Sequence, residues 1–161
     1  MKYNLYVSYV ENDRHAVVSW LLSDYTGVVD SDIYIVTGKA KQDANRALHI
    51  GLTRALRRSA KATGAPMQLT LYMDKSVIST IGFELIDVDQ PKHDGLLMQT
   101  QRSLKRFDSW QGANFSDEND LRPEESAVID DGMDTLAFSE TFKGRCQLLM
   151  WRLTKPNKVI T

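Results

Sequence analysis

Residues 3–37, YNLYVSYVENDRHAVVSWLLSDYTGVVDSDIYIVT, decide the fold. They read as three strands in a row. In residues 3–10 (YNLYVSYV), aromatic and β-branched types dominate, with Leu5, Val7 and Tyr9 on one face and Tyr6, Ser8 and Val10 on the other. The polar cluster Glu11-Asn12-Asp13-Arg14 makes a turn. Residues 15–22 (HAVVSWLL) form a nearly continuous apolar run, as expected of a strand buried on both faces. A second turn at residues 23–27 (SDYTG) leads to a third strand over residues 28–37 (VVDSDIYIVT). Connections this short imply an antiparallel meander.

Beyond the meander the periodicity changes. Residues 43–63 carry Ala44, Asn45, Leu48, Leu52, Ala55, Leu56 and Ser59 on one side at about 100° per residue. Asp43 is a candidate N-cap, and Gly64 with Pro66 provides the stop. Arg46, Arg54, Arg57, Arg58 and Lys61 lie opposite the apolar stripe, with Ile50 among them. Residues 67–73 (MQLTLYM) make a fourth strand ending at Asp74, and residues 75–81 begin a second helix. Strand, long helix and strand in this order form a crossover unit, which makes the fourth strand parallel to its neighbour.

The remaining chain is more ambiguous. FELIDVD at residues 83–89 suits a strand or a helix end, while Leu97, Thr100, Leu104 and Phe107 recur at helical spacing behind a possible Asp94 cap. Residues 111–122 (QGANFSDENDLR) read as a loop, and Pro123 with Glu124 and Glu125 as a helix start. Gly144 precedes an expected last strand at residues 146–153 (CQLLMWRL).

Composition bounds the function. The chain has 161 residues, 42% of them apolar and 25% charged, with 20 Lys plus Arg against 21 Asp plus Glu. One domain with a full core accounts for that length, at 1–161 with a helical elaboration at about 86–143. A net charge of -1 excludes a polybasic coat and an acidic DNA mimic, but not a local basic patch. A single cysteine, Cys146, makes no intrachain disulfide and no multi-thiolate zinc site. With no run of about 18 apolar residues and no signal-peptide pattern at the start, the expectation is a cytoplasmic protein without a membrane partner.

Three antiparallel strands, a long helix, a parallel strand ending in Asp and a further helix resemble the ribonuclease H-like fold, an α/β (α+β) mixed sheet with helices packed on it and a C-terminal strand. Two local patterns strengthen the likeness across about residues 3–85. Active members carry N-R-x-E at the start of the first helix, where this chain has Asn45-Arg46-Ala47-Leu48. They end the fourth strand with T-D-S-x-x-V, and Met73-Asp74-Lys75-Ser76-Val77-Ile78 is similar.

The resemblance implies a site of converging carboxylates holding two divalent ions, Mg²⁺ or Mn²⁺, that cut the RNA strand of a hybrid. Carried onto this chain, the first-strand position falls at Ser8, or at Val7 in a shifted register, and the first-helix position at Leu48. Asp74 matches. The last carboxylate depends on the fifth strand. If residues 146–153 are that strand, no final helix follows. If it lies near residues 103–110 (SLKRFDSW), then Asp130, Asp131 or Asp134 could serve. CQLLMWRL is the more strand-like, so the first arrangement is preferred.

A serine and a leucine cannot replace metal-binding carboxylates. The expectation is therefore a non-catalytic ribonuclease H-like binding module, without a cofactor. Its partner would be structured nucleic acid, an RNA–DNA hybrid or a protein that handles nucleic acid, and its contact face Arg46, Arg54, Arg57, Arg58 and Lys61. The alternatives are a divergent metal-dependent nuclease using Asp74 with Asp131 or Asp134 and Asp30 or Asp32, and a small phage or mobile-element inhibitor or adaptor bound to a host protein. Asp74 also has a simpler role as a helix cap. His15, His49 and His93 lack metal-ligand spacing, His49 reads as a surface residue, and Cys146 as a core one.

Overall fold

A computed structural model of the chain describes residues 1–63, 67–83, 86 and 95–161. The three expected N-terminal strands are β1 (Lys2–Glu11), β2 (Ala16–Asp24) and β3 (Gly27–Val36). Tight turns set their antiparallel pairing, with Val7 opposite Trp20 and Ser8 opposite Ser19. At the β2–β3 turn the Asp24 carboxylate accepts the Thr26 N–H at 2.7 Å and the Gly27 N–H at 3.2 Å. Gly27 sits at φ 136°, where a side chain would be strained.

After a short helix α1 (Gly38–Gln42), the long helix α2 (Ala44–Thr63) crosses one face of the sheet. Asp43 caps it by accepting the Arg46 N–H at 3.1 Å. The crossover delivers β4 (Gln68–Met73) parallel to β1, with Tyr6 beside Tyr72 and Val7 beside Met73. The helix α3 (Lys75–Ile81) follows within its expected bounds, and α4 (Gly95–Leu104) comes next. The proposed stop at Gly64 and Pro66, the Asp94 cap, His93 and most of residues 83–89 lie outside the described residues.

The C-terminal third corrects two expectations. The fifth strand is β5 (Ser109–Asn114), parallel to β4 with Asn114 beside Met73. Its residues overlap the stretch read as a loop. SWQGAN has little strand pattern of its own, and the open edge of β4 supplies the pairing. Trp110 anchors it edge-on to Phe83, ring centroids 5.3 Å apart.

Residues 146–153 are helical. They belong to α6 (Phe142–Thr154), which follows α5 (Pro123–Glu140) across the single residue Thr141. A short apolar run does not distinguish a strand from a helix with two apolar sides. Here Thr141 caps the helix by accepting the Gly144 N–H at 3.0 Å, and Leu148 and Trp151, three apart, face inward. Cys146 is exposed on the outer side, so it is not a core residue. A C-terminal strand does exist: β6 (Val159–Ile160) pairs parallel with β3. The sheet order is β5-β4-β1-β2-β3-β6.

The sheet is covered on both faces. Leu48, Leu52 and Leu56 of α2 pack on Leu5, Val7, Val18, Trp20, Leu22, Leu69 and Leu71. Burying that many aliphatic and aromatic side chains, at about 1.5–3 kcal/mol each, is the main force holding the layers together. On the other face α5 lies over β1 and β2, where Tyr6, Leu21 and Val128 cluster, and α6 packs Leu148 on Ile35 and Val159.

Candidate functional site

The residues at which the resemblance expects carboxylates lie as follows. Val7 beside Met73 is the last β1–β4 pair, so Ser8 reaches the level of Asp74. Ser8 is buried on the face that α5 covers; its neighbour Ser19 donates from Oγ to the Val128 carbonyl of α5 at 2.5 Å. Leu48 is buried in the core on the opposite face. Asp74 is exposed and caps α3, accepting the Ser76 N–H at 2.8 Å and the Ser76 hydroxyl at 2.6 Å.

Among the described residues, the acidic side chains of α5 join no metal-binding cluster. Its inward side carries Glu125, Val128, Gly132, Leu136 and Ser139, and Asp130, Asp131 and Asp134 are exposed. Asp30 and Asp32, on β3, pair instead with basic side chains. Among the described residues, no three His, Cys, Asp or Glu side chains come together in a way that could hold a metal ion. Asp74, Asp117 and Glu118 share only the lining of a cleft of about 280 Å³.

The same strand ends hold groups that sequence reasoning missed. The Tyr6 and Tyr72 rings stack with centroids 4.7 Å apart, and the Arg122 guanidinium lies 4.8 Å from the Tyr72 centroid. Burial, with the nearby Glu124 charge, pushes the Tyr6 hydroxyl up. Glu125, fully buried, accepts the backbone N–H of Arg122 at 3.0 Å and of Ser116 at 3.2 Å. The Pro-Glu-Glu start of α5 signals this acidic cap. The tyrosine pair becomes visible only once β1 and β4 are known to be neighbours.

The basic face of α2 gathers into a groove. Arg54, Arg57, Arg58 and Lys61 line a space of about 620 Å³ with Asp32, Tyr34, Asn157 and Lys158. Arg46, near the first turn of α2, does not line it. Tyr34, Asn157 and Lys158 had no sequence signal: β3–β6 pairing brings the C-terminal segment back to α2.

Charge within the groove is partly compensated. Arg58 donates to Asp30 at 2.8 and 2.9 Å and also to Asp32, while Lys158 reaches Asp32 at 2.8 Å. Arg54 donates to the Asn157 carbonyl at 2.6 Å and sits 5.6 Å from the Tyr34 ring centre. Burial lowers the Arg54 pKa. Burial opposes ionisation of Asp32, but hydrogen bonds from Lys158 and Ile33 and the charges of Lys158 and Arg58 hold its carboxyl below the ordinary range. Arg57 and Lys61, both exposed, make no ion pair among the described residues.

His49 is not a surface residue. It is buried between α2, α3 and α4, with Nδ1 2.6 Å from Thr100 Oγ1 and Nε2 2.9 Å from the Ile81 carbonyl. A carbonyl only accepts, so Nε2 carries a hydrogen. The helix α4 covers the flank of α2 that periodicity alone would leave in solvent.

Comparison with solved structures identifies the architecture. The chain is similar to ribonuclease H1 of the halophilic archaeon Halobacterium salinarum, at 16% identity and a TM-score of 0.57 over 83% of this chain and 98% of that one. It is likewise similar to the N-terminal ribonuclease H domain of a Mycobacterium tuberculosis protein, at 14% identity and TM-score 0.59, covering 83% and 98%. LC11-RNase H1, solved with an RNA/DNA hybrid, aligns at 12% identity and TM-score 0.52, covering 81% and 99%. No protein-family model matches the sequence, and no curated protein matches it. The fold is ribonuclease H-like.

Proposed function

We propose that this ribonuclease H-like domain is a non-catalytic module that binds nucleic acid through the groove between α2 and the β3–β6 edge. The carrying observation is the convergence of Arg54, Arg57, Arg58, Lys61 and Lys158 on one groove, with Asp30 and Asp32 as counter-charges among the described residues. Arg57 and Lys61 are exposed cations available to a phosphate backbone. Arg54 and Arg58 are held in place by their protein partners and shape the groove rather than reach out of it. Residue type supports the non-catalytic reading: the resemblance puts a serine and a leucine at two carboxylate positions, and Asp74 alone cannot hold a pair of divalent ions.

The test is a labelled RNA–DNA hybrid, the ligand of LC11-RNase H1, incubated with the protein in Mg²⁺ or Mn²⁺ while binding and cleavage are both scored. Binding without cleavage is expected, with log K falling against log salt at a slope of about −2 for two phosphate contacts. Charge reversal by Arg57→Glu and Lys61→Glu should abolish binding while the thermal melt is kept. Metal-dependent cleavage that vanishes in Asp74→Asn would overturn the non-catalytic reading. Hybrid binding untouched by the double reversal would remove the groove. A failure to bind any nucleic acid would turn the search to protein partners.

A further inference from the structure

We propose that the chain pairs with a second copy of itself through the outer surface of α5 and α6, forming a two-fold dimer in which α5 of each copy lies against α6 of the other. The surface is distinct from the groove and independent of the nucleic-acid reading.

An apolar stripe without a partner comes first. Phe142, Leu149, Met150 and Leu153 of α6 are 82%, 59%, 57% and 87% exposed, and Cys146 is exposed among them. The spacing 142, 146, 149, 153 alternates four and three, which keeps one line along the helix. The stripe lies opposite the Leu148 and Trp151 side that packs on the sheet. A helix apolar on two opposite sides belongs in an interior. Met133 and Phe138 of α5 are also exposed.

Charge names the occupant. The exposed side of α5 carries Asp130, Asp131, Asp134 and Glu140, and α5 has no Lys or Arg. The helix α6 carries Lys143, Arg145 and Arg152 and no Asp or Glu. Asp130, Asp131, Asp134, Lys143 and Arg145 make no ion pair among the described residues. The two helices are consecutive and joined at Thr141, the first acidic on its exposed side and the second basic. Rotation by a half-turn about the joint lays each acidic helix on the basic helix of a second copy. That is the self-complementarity an isologous interface requires. An α6–α6 pairing would bring like charges together instead.

Area agrees. The exposed apolar side chains offer on the order of 500 Å², against about 800 Å² per partner in a standard interface. Roughly 60% apolar is the usual share, and the charged flanks supply the rest.

Sedimentation velocity of the full chain, at concentrations up to about 100 μM, tests this. A dimer is expected, weakened by salt, with self-association lost by more than about tenfold in Leu153→Glu. Arg145→Glu should weaken the dimer, and adding Asp134→Lys should restore it. The thiol of Cys146 should react more slowly with a thiol reagent as protein concentration rises. Circular dichroism melts matching the parent confirm that each variant is folded; Leu149→Ser serves if Leu153→Glu does not fold. A monomer throughout the concentration range overturns the proposal, as does a dimer insensitive to both stripe and charge variants. A monomer that instead co-floats with phosphatidylglycerol vesicles reassigns the stripe to a lipid surface.

Discussion

Asp74 ends β4 by capping α3: one carboxylate oxygen accepts both the backbone N–H and the hydroxyl of Ser76, at 2.8 and 2.6 Å. Asp74 thus has a structural role as a helix cap. Asp74→Ala is expected to destabilise the domain by about 1 kcal/mol, and Asp74→Ser by much less, since serine also caps. Urea denaturation of the two variants measures the difference. Equal losses would mean that the carboxylate does something other than cap.

A pH dependence follows from Asp32. Its folded pKa lies below the unfolded value, because Lys158, the Ile33 N–H and Arg58 favour the anion despite burial. The stabilising contribution is therefore complete above the unfolded value of about 4 and is lost as pH falls through the lower folded value. Asp32→Asn should lower the melting temperature near neutral pH and flatten its decline below about pH 4. Parallel acid limbs in the parent and the variant would contradict this assignment.

His49 bridges α3 and α4 through Ile81 and Thr100. Replacing it with leucine leaves the buried Ile81 carbonyl without that donor and should cost about 1–3 kcal/mol. Hydrogen exchange is the informative readout, because protection should drop first in α3 and α4. A uniform loss across the domain would show that the bridge is not local.

Gly132 sets the distance between α5 and the sheet. A Cβ there would stand 3.0 Å from a Val10 methyl and 3.2 Å from Ser19 Oγ. Gly132→Leu should therefore push α5 off β1 and β2, break the Ser19 bond to the Val128 carbonyl and destabilise by about 1–3 kcal/mol. Near-parental stability with an unchanged tyrosine near-ultraviolet signal would show that the helix is free to shift.

Much of the fold was legible because it is local. The period-two pattern of Leu5, Val7 and Tyr9, the turn residues Asp24 and Gly27, and the Leu48–Leu52–Leu56 stripe each carry their signal within a few residues. That Ser8 and Leu48 are not carboxylates is legible in the same way. The cap reading of Asp74 acquired its geometry from the Ser76 contacts.

What the sequence determined by itself was therefore the meander and the crossover helix with its basic side. Tertiary structure decided the rest. Whether CQLLMWRL or a segment near residues 103–110 became the fifth strand depended on which reached the open edge of β4, and the strand there begins at Ser109. His49 was buried because α4 covers it, and Arg54 and Lys158 share a groove because β6 closes on β3. Periodicity records which side of an element is apolar, but not what will pack on the other side. Long-range pairing supplies that, through contacts between residues more than a hundred positions apart in the chain.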